Sequence, residues 1–129
     1  MSKLHITTGT ILQIGSHIVG CGDSTDSEFV AKVVGKVKVK QILTDPPYGI
    51  DYVASKEKFA GHKSKHVDIE NDHFQSDSAY QAFSKKWLDS IKSHLSAKNI
   101  IYCFNADRMI FALREGMLEA GFHRRRHSL

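Results

Sequence analysis

Proline is almost missing from this chain: 2 occur in 129 residues, and they are adjacent. That scarcity excludes collagen-like, polyproline-linker and low-complexity architectures. Cysteine is equally sparse, with 2 residues, which excludes a disulfide-built scaffold. Cys21 and Cys103 both sit in apolar β-type runs and read as buried, reduced thiols. No apolar run approaches the roughly 20 residues that span a bilayer, and the opening stretch MSKLHITTGT has no signal-peptide hydrophobic segment. The expected location is cytoplasmic. His62 and His66 lie four apart, without the helix or the further ligands that zinc requires, so no metal is expected.

What is present describes one modest α/β domain. The net charge is +4 at pH 7, mildly basic and compatible with a phosphate-backbone partner. Thr10 to Ile14 and His17 to Cys21 read as a β-hairpin around Gly15-Ser16. Ser24 to Val34 reads as a helix with Phe29, Val30, Val33 and Val34 on one face and Gly35 as its stop. Val37 to Thr44 is a strand, and residues 50–75 form a long polar connection. Ser78 to Leu95 is an amphipathic helix burying Tyr80, Phe83, Trp87, Ile91 and Leu95. Asn99 to Phe104 reads as a buried strand. Asp107 to Ala120 follows as a helix with Ile110, Leu113 and Met117 inward and Gly121 just beyond its end. Phe122 begins a further strand. Alternating strands and helices imply a parallel sheet, with ligands at the carboxyl ends of its strands. Asp23, Asp45 and Asn105 all fall at such ends.

The two prolines stand in Asp45-Pro46-Pro47-Tyr48, directly after the strand and before Gly49. Proline fixes its own φ and drives the residue before it into an extended conformation, so Asp45 is held off the strand end. Neither proline has an N–H, which leaves their carbonyls outside any local ladder. An exocyclic amine has two N–H donors; the Asp45 carboxylate and the Pro46 carbonyl accept one each, and Tyr48 supplies a stacking face. A nitrogen held in this way is poised to attack an electrophilic methyl group, with positioning and electrostatics as the main catalytic contributions. An ordinary surface turn is the plainer use of the same residues.

Thr44-Asp45-Pro46-Pro47-Tyr48-Gly49 resembles the catalytic motif of DNA amino-methyltransferases, which methylate adenine N6 or cytosine N4 from S-adenosylmethionine. Residues 9–26 are similar to the opening segment of the β-class, whose motifs are circularly permuted. Residues 68–72, 80–95 and 99–108 resemble the matching stretch, particularly in phage-type and ParB-fused DNA methylase domains and restriction-modification enzymes. The resemblance implies a partial Rossmann-like, S-adenosylmethionine-dependent methyltransferase sheet with an N-terminal hairpin. Asp45, Pro46, Pro47 and Tyr48 then hold the target base. Asp23, Ser24 and Asn105 lie toward the cofactor. Adenine is favoured over cytosine, because cytosine-N4 enzymes more often carry Ser at the position of Asp45.

Residues 52–66 carry Lys56, Lys58, Lys63 and Lys65 around Phe59 and Gly61. Such a loop contacts DNA phosphates or is simply a solvated surface loop. Arg124, Arg125 and Arg126 are further phosphate-binding candidates. Gly20-Cys21-Gly22 looks like a cofactor loop, but in the usual order about 60 or more residues separate that loop from the catalytic one, at roughly 20–30 per strand–helix unit, and about twenty are present here. The resemblance reaches only the first part of a β-class enzyme, residues 1–129. The Phe-x-Gly-x-Gly cofactor loop and the target-recognition region lie further downstream in that class. The expectation is a chain inactive alone, with weak or absent cofactor binding, that self-associates, joins a complementing chain or pairs its strands differently. The alternatives are a non-catalytic nucleic-acid-binding remnant and a methyltransferase acting on a glutamine amide or RNA. Asp45, where those enzymes typically carry Asn, speaks against the last.

Overall fold

A computed structural model of the chain describes residues 5–50 and 73–123. Within them the order is β1 (Thr10–Ile14), β2 (His17–Cys21), α1 (Ser27–Val34), β3 (Val39–Thr44), α2 (Asp77–Lys92), β4 (Leu95–Cys103), a 3-10 turn (Asp107–Met109) and α3 (Ile110–Glu119). The architecture is α/β, with two small sheets and three helices among the described residues.

β1 and β2 form an antiparallel hairpin in register from Thr10↔Cys21 to Ile14↔His17. Gly15 takes φ 60° at the first position of its two-residue loop, where hairpin turns require a positive φ. The hairpin pairs with no other strand among those described. Its contact with α1 runs through two glycines. A Cβ on Gly22 would come 2.5 Å from the Phe29 ring, and one on Gly20 would come 2.6 Å from Val33 Cγ2. The Gly20-Cys21-Gly22 pattern is therefore accounted for by close packing. Cys21 is exposed, against the expectation of a buried thiol, as is every residue of β2.

α1 begins at Ser27, three residues later than the periodicity suggests. Asp26 is its N-cap, with Oδ1 accepting from Glu28 N at 2.9 Å and Phe29 N at 3.2 Å. Ser24 and Thr25 belong instead to a turn set by Asp23.

β3 and β4 are parallel neighbours, in register from Gln41↔Ile100 to Thr44↔Cys103. The helix expected to reach Leu95 stops at Lys92, because Leu95 pairs with Val39 and the Val39 N–H donates to His94 O at 2.9 Å. Strand pairing outweighs the helical periodicity there. Between Leu95 and Ile100 the register shifts, and Asn99 Nδ2 closes the irregularity on Ser96 O at 2.8 Å.

The core lies between α2, α3 and one face of β4. Tyr80, Trp87, Leu88, Met109, Ala112, Leu113 and Ala120 are buried, with Phe83, Ile101, Cys103 and Met117 packed against them. Ile110, expected inward, is 44% exposed. The 3-10 turn before it shifts the register, and Met109 fills the inward place with no exposure at all. α2 and α3 approach closely at Gly116, where a Cβ would lie 2.7 Å from Gln81 O.

The strand expected to be buried has only one covered face. Ile101 and Cys103 face the core, whereas Ile100, Tyr102 and Phe104 are exposed beside Leu43 of β3. Parallel strands usually have both faces covered. Phe122 packs against the core and donates its N–H to Met117 O at 2.8 Å; neither it nor His123 is in a strand. Among the described residues no helix is long and apolar enough to cross a membrane.

Candidate functional site

Asp45 follows the last residue of β3 and Asn105 stands two residues past the end of β4, so both lie at the carboxyl end of one parallel pair. Phe104 N donates to Thr44 O at 2.9 Å, carrying the pairing one step beyond the strands. The Asp45-Pro46-Pro47-Tyr48 segment leaves the sheet at that step. Its far end is pinned at buried Gly49, whose carbonyl accepts from Gln75 N at 2.9 Å. Gly49 takes φ 65°, and a Cβ there would meet Gln75 Cβ at 3.0 Å. Only glycine combines that backbone with that closeness.

Asp45 is exposed, and its Oδ1 accepts from the Tyr48 hydroxyl at 2.5 Å. Among the described residues the one ion pair joins Lys85 to Asp89, so Asp45 is not spent in a structural salt bridge there. Its charge reaches Cys103 on the neighbouring strand. Burial first, and Asp45 second, push the Cys103 thiol up to about 11. Cys103 is thus a protonated packing residue at neutral pH and not a nucleophile.

Asn105 is held from two sides. Its Oδ1 accepts from the Tyr80 hydroxyl at 3.0 Å and from Ala106 N at 2.9 Å. Its Nδ2 is shut off from solvent and has no acceptor. Tyr80 reads from periodicity as a core residue alone; that it carries a hydroxyl where Phe would fill the same space is the signal for this second role. Arg108 is a further residue that the spacing did not single out. Its guanidinium stacks 4.3 Å from the centroid of the Phe74 ring, beside the Gln75 that pins the loop.

Asp23 and Ser24 lie elsewhere. Asp23 Oδ1 accepts from Thr25 N at 2.8 Å, and that bond, with the Thr25 hydroxyl, lowers the Asp23 carboxyl below its ordinary value. Ser24 O accepts from Ser90 Oγ at 2.6 Å, near the C-terminal end of α2. Tyr80, which holds Asn105, is near the N-terminal end of that helix, roughly 15 Å away at 1.5 Å per residue. The structure therefore brings Asp45 and Asn105 together and sets Asp23 and Ser24 apart from them. Lys56, Lys58, Lys63, Lys65, His62, His66 and Arg124 to Arg126 lie outside the described residues. Among the described residues no group of three or more His, Cys, Asp or Glu side chains is arranged to hold a metal ion.

A strand-end acidic loop of this composition, on a parallel pair in an α/β fold, is the kind of site found in enzymes that bind a ligand above the sheet. A family model described as DNA methylase matches residues 39–127. The chain belongs to the DNA methylase family, the N6/N4 amino-methyltransferases. The match starts at the first residue of β3 and includes the whole loop; the hairpin and α1 precede it. No curated protein and no solved structure matches the chain.

Proposed function

We propose that this chain carries the target-base hook of a DNA amino-methyltransferase that transfers a methyl group from S-adenosylmethionine to an exocyclic amine. One observation carries the reading: Asp45-Pro46-Pro47-Tyr48 leaves the carboxyl end of a parallel strand inside the family match, with its carboxylate outside any ion pair among the described residues.

In this reading Asp45 and the Pro46 carbonyl each accept one N–H of the amine. The amine nitrogen is thereby drawn away from conjugation with its ring. Tyr48 gives up its hydrogen bond to Asp45 and stacks on the base. S-adenosylmethionine, when bound, supplies the electrophilic methyl group. The methylated nitrogen is acidic and sheds its proton late, so Asp45 need not act as a strong base. Adenine is the favoured target and duplex DNA the partner, with the base turned out of the stack to reach the hook. Lys56, Lys58, Lys63 and Lys65 are assigned to DNA phosphates.

The residues partly fit the cofactor. Asn105 offers a donor that has no acceptor of its own. Asp23 keeps only part of its carboxylate outside the Thr25 turn, and it stands far from Asn105. Residues 1–129 are accordingly assigned the base-holding part, with a complementing chain or a second copy completing the cofactor site. The test is methyl transfer to adenine-containing duplex DNA from radiolabelled S-adenosylmethionine. It is run with the chain alone and with a chain supplying a Phe-x-Gly-x-Gly cofactor loop. Transfer only in the mixture, abolished by Asp45→Ala, is the expected result. No transfer in either arm overturns the catalytic reading and leaves nucleic-acid binding.

A further inference from the structure

The Asn105 side chain is oriented without ambiguity. The Ala106 N–H needs an acceptor, so the amide oxygen must be on that side, at 2.9 Å. The Tyr80 hydroxyl, 3.0 Å from the same oxygen, must then donate. Both contacts use Oδ1, and the two N–H donors on Nδ2 are turned away from them. Nδ2 is buried and meets no acceptor.

A buried, fixed and unpaired donor is costly to keep, and such groups call for a specific explanation. Ser84 Oγ and Trp87 Nε1 are also unpaired, but both belong to α2 and its buried face. Asn105 alone of the three stands at the carboxyl end of a parallel strand, where ligands bind in α/β sheets. Its surroundings restrict what it would take. Asp45 lies at the end of the adjoining strand, and its charge is felt by Cys103, two residues before Asn105. An anionic acceptor would be repelled there. A neutral acceptor beside an amine would be welcome.

We infer that Asn105 Nδ2 donates to the ring nitrogen of an amino-heterocycle bound at the carboxyl ends of β3 and β4, and that Tyr80 is the positioning residue that aims it. This rests on the methyltransferase reading for the identity of the heterocycle. Adenine chemistry comes from two sources, the cofactor's adenosine or a nucleobase of the DNA, and the experiment separates them.

The probes are S-adenosylhomocysteine and a short DNA duplex with one unpaired adenine, each titrated into the whole chain. The readout is the side-chain amide resonance of Asn105, assigned by its loss in Asn105→Asp. That variant keeps an oxygen for both Tyr80 and Ala106 and exchanges the free N–H donors for a second carboxylate oxygen and a negative charge. The expected result is a shift of the amide resonance with one probe. Asn105→Asp should show at least a tenfold loss of affinity for that probe, measured where circular dichroism shows the variant folded. Tyr80→Phe should weaken the same binding several-fold. An amide resonance unmoved by both probes, or an Asn105→Asp chain that binds as wild type, overturns the inference. The resonance is read on the wild-type chain, so an unfolded variant does not blunt the test. None of these readouts requires methyl transfer, and failure of transfer with a complementing chain would instead strike the catalytic reading.

Discussion

The Tyr48 hydroxyl donates to Asp45 Oδ1 at 2.5 Å, closing the two ends of the Asp-Pro-Pro-Tyr segment on each other. The carboxylate keeps lone pairs on both oxygens for the base amine of the proposed reaction. It is the stacking role that requires the Tyr48 ring to turn from its position in this bond.

Replacing Tyr48 separates its two roles. Tyr48→Phe keeps the stacking face and removes the hydroxyl that bonds Asp45. In the complemented enzyme it should retain kcat within about tenfold, whereas Tyr48→Ala should lose ten- to a hundredfold in kcat/KM, roughly the worth of one base–aromatic stack. Equal losses in the two variants would mean that the hydroxyl, not the ring, is what matters.

The Cys103 thiol reports on Asp45 without any reaction. Its value of about 11, against 9.0 ordinarily, means that the folded chain keeps the proton while the unfolded chain loses it. Stability from this group is complete below about pH 9 and is lost as pH rises toward 11. Asp45→Asn removes a neighbouring negative charge and should move the thiol down, speeding its alkylation at pH 9. Alkylation rates measured against pH check this, and an unchanged profile would show that burial alone raises the thiol.

The helix crossing depends on Gly116. A Cβ there would stand 2.7 Å from Gln81 O and 2.9 Å from Ser84 Cβ, and backbone cannot move aside cheaply. Gly116→Ala should destabilise the chain by about 1–3 kcal/mol, the usual cost of overpacking. Urea denaturation followed by circular dichroism measures it. The opposite result, stabilisation from the better helix propensity of Ala, would show that the helices can separate slightly.

The uncovered sheet face should make the isolated chain associate. Leu43 is 67% exposed and Tyr102 51%, with Ile100 and Phe104 on the same face. Exposed apolar patches of this kind drive self-association or partner binding. Leu43→Lys should lower the apparent mass in equilibrium sedimentation, and a complementing chain should do so competitively. A monomer for wild type at tens of micromolar would remove this expectation.

Much of the chain's local structure is legible without coordinates. Both hairpin strands were placed to the residue, because Gly15 and alternating apolar residues mark a tight turn. Gly35 and Gly121 mark helix ends through the positive φ that they permit. The Asp45-Pro46-Pro47-Tyr48 segment resembles the family's motif on the sequence alone, and the family match includes it. Periodicity failed where a long-range contact competed with it. Leu95 went to the sheet, Ile110 was displaced by a 3-10 turn, and Cys21 and Tyr102 were left uncovered.

By itself, then, the order of residues determined most of the elements and the stiffness of the acidic loop, because these depend on local backbone sterics and the spacing of side chains; the family was legible through the motif's resemblance. Only the tertiary structure decided that Asp45 and Asn105 share one end of a parallel pair while Asp23 stands beside the far end of α2. Strand neighbours are chosen by hydrogen bonding between segments distant in sequence, and nothing in either segment alone records the choice. The same is true of the Asn105 amide: Tyr80, twenty-five residues earlier, and Ala106 hold its oxygen, and no acceptor meets its nitrogen.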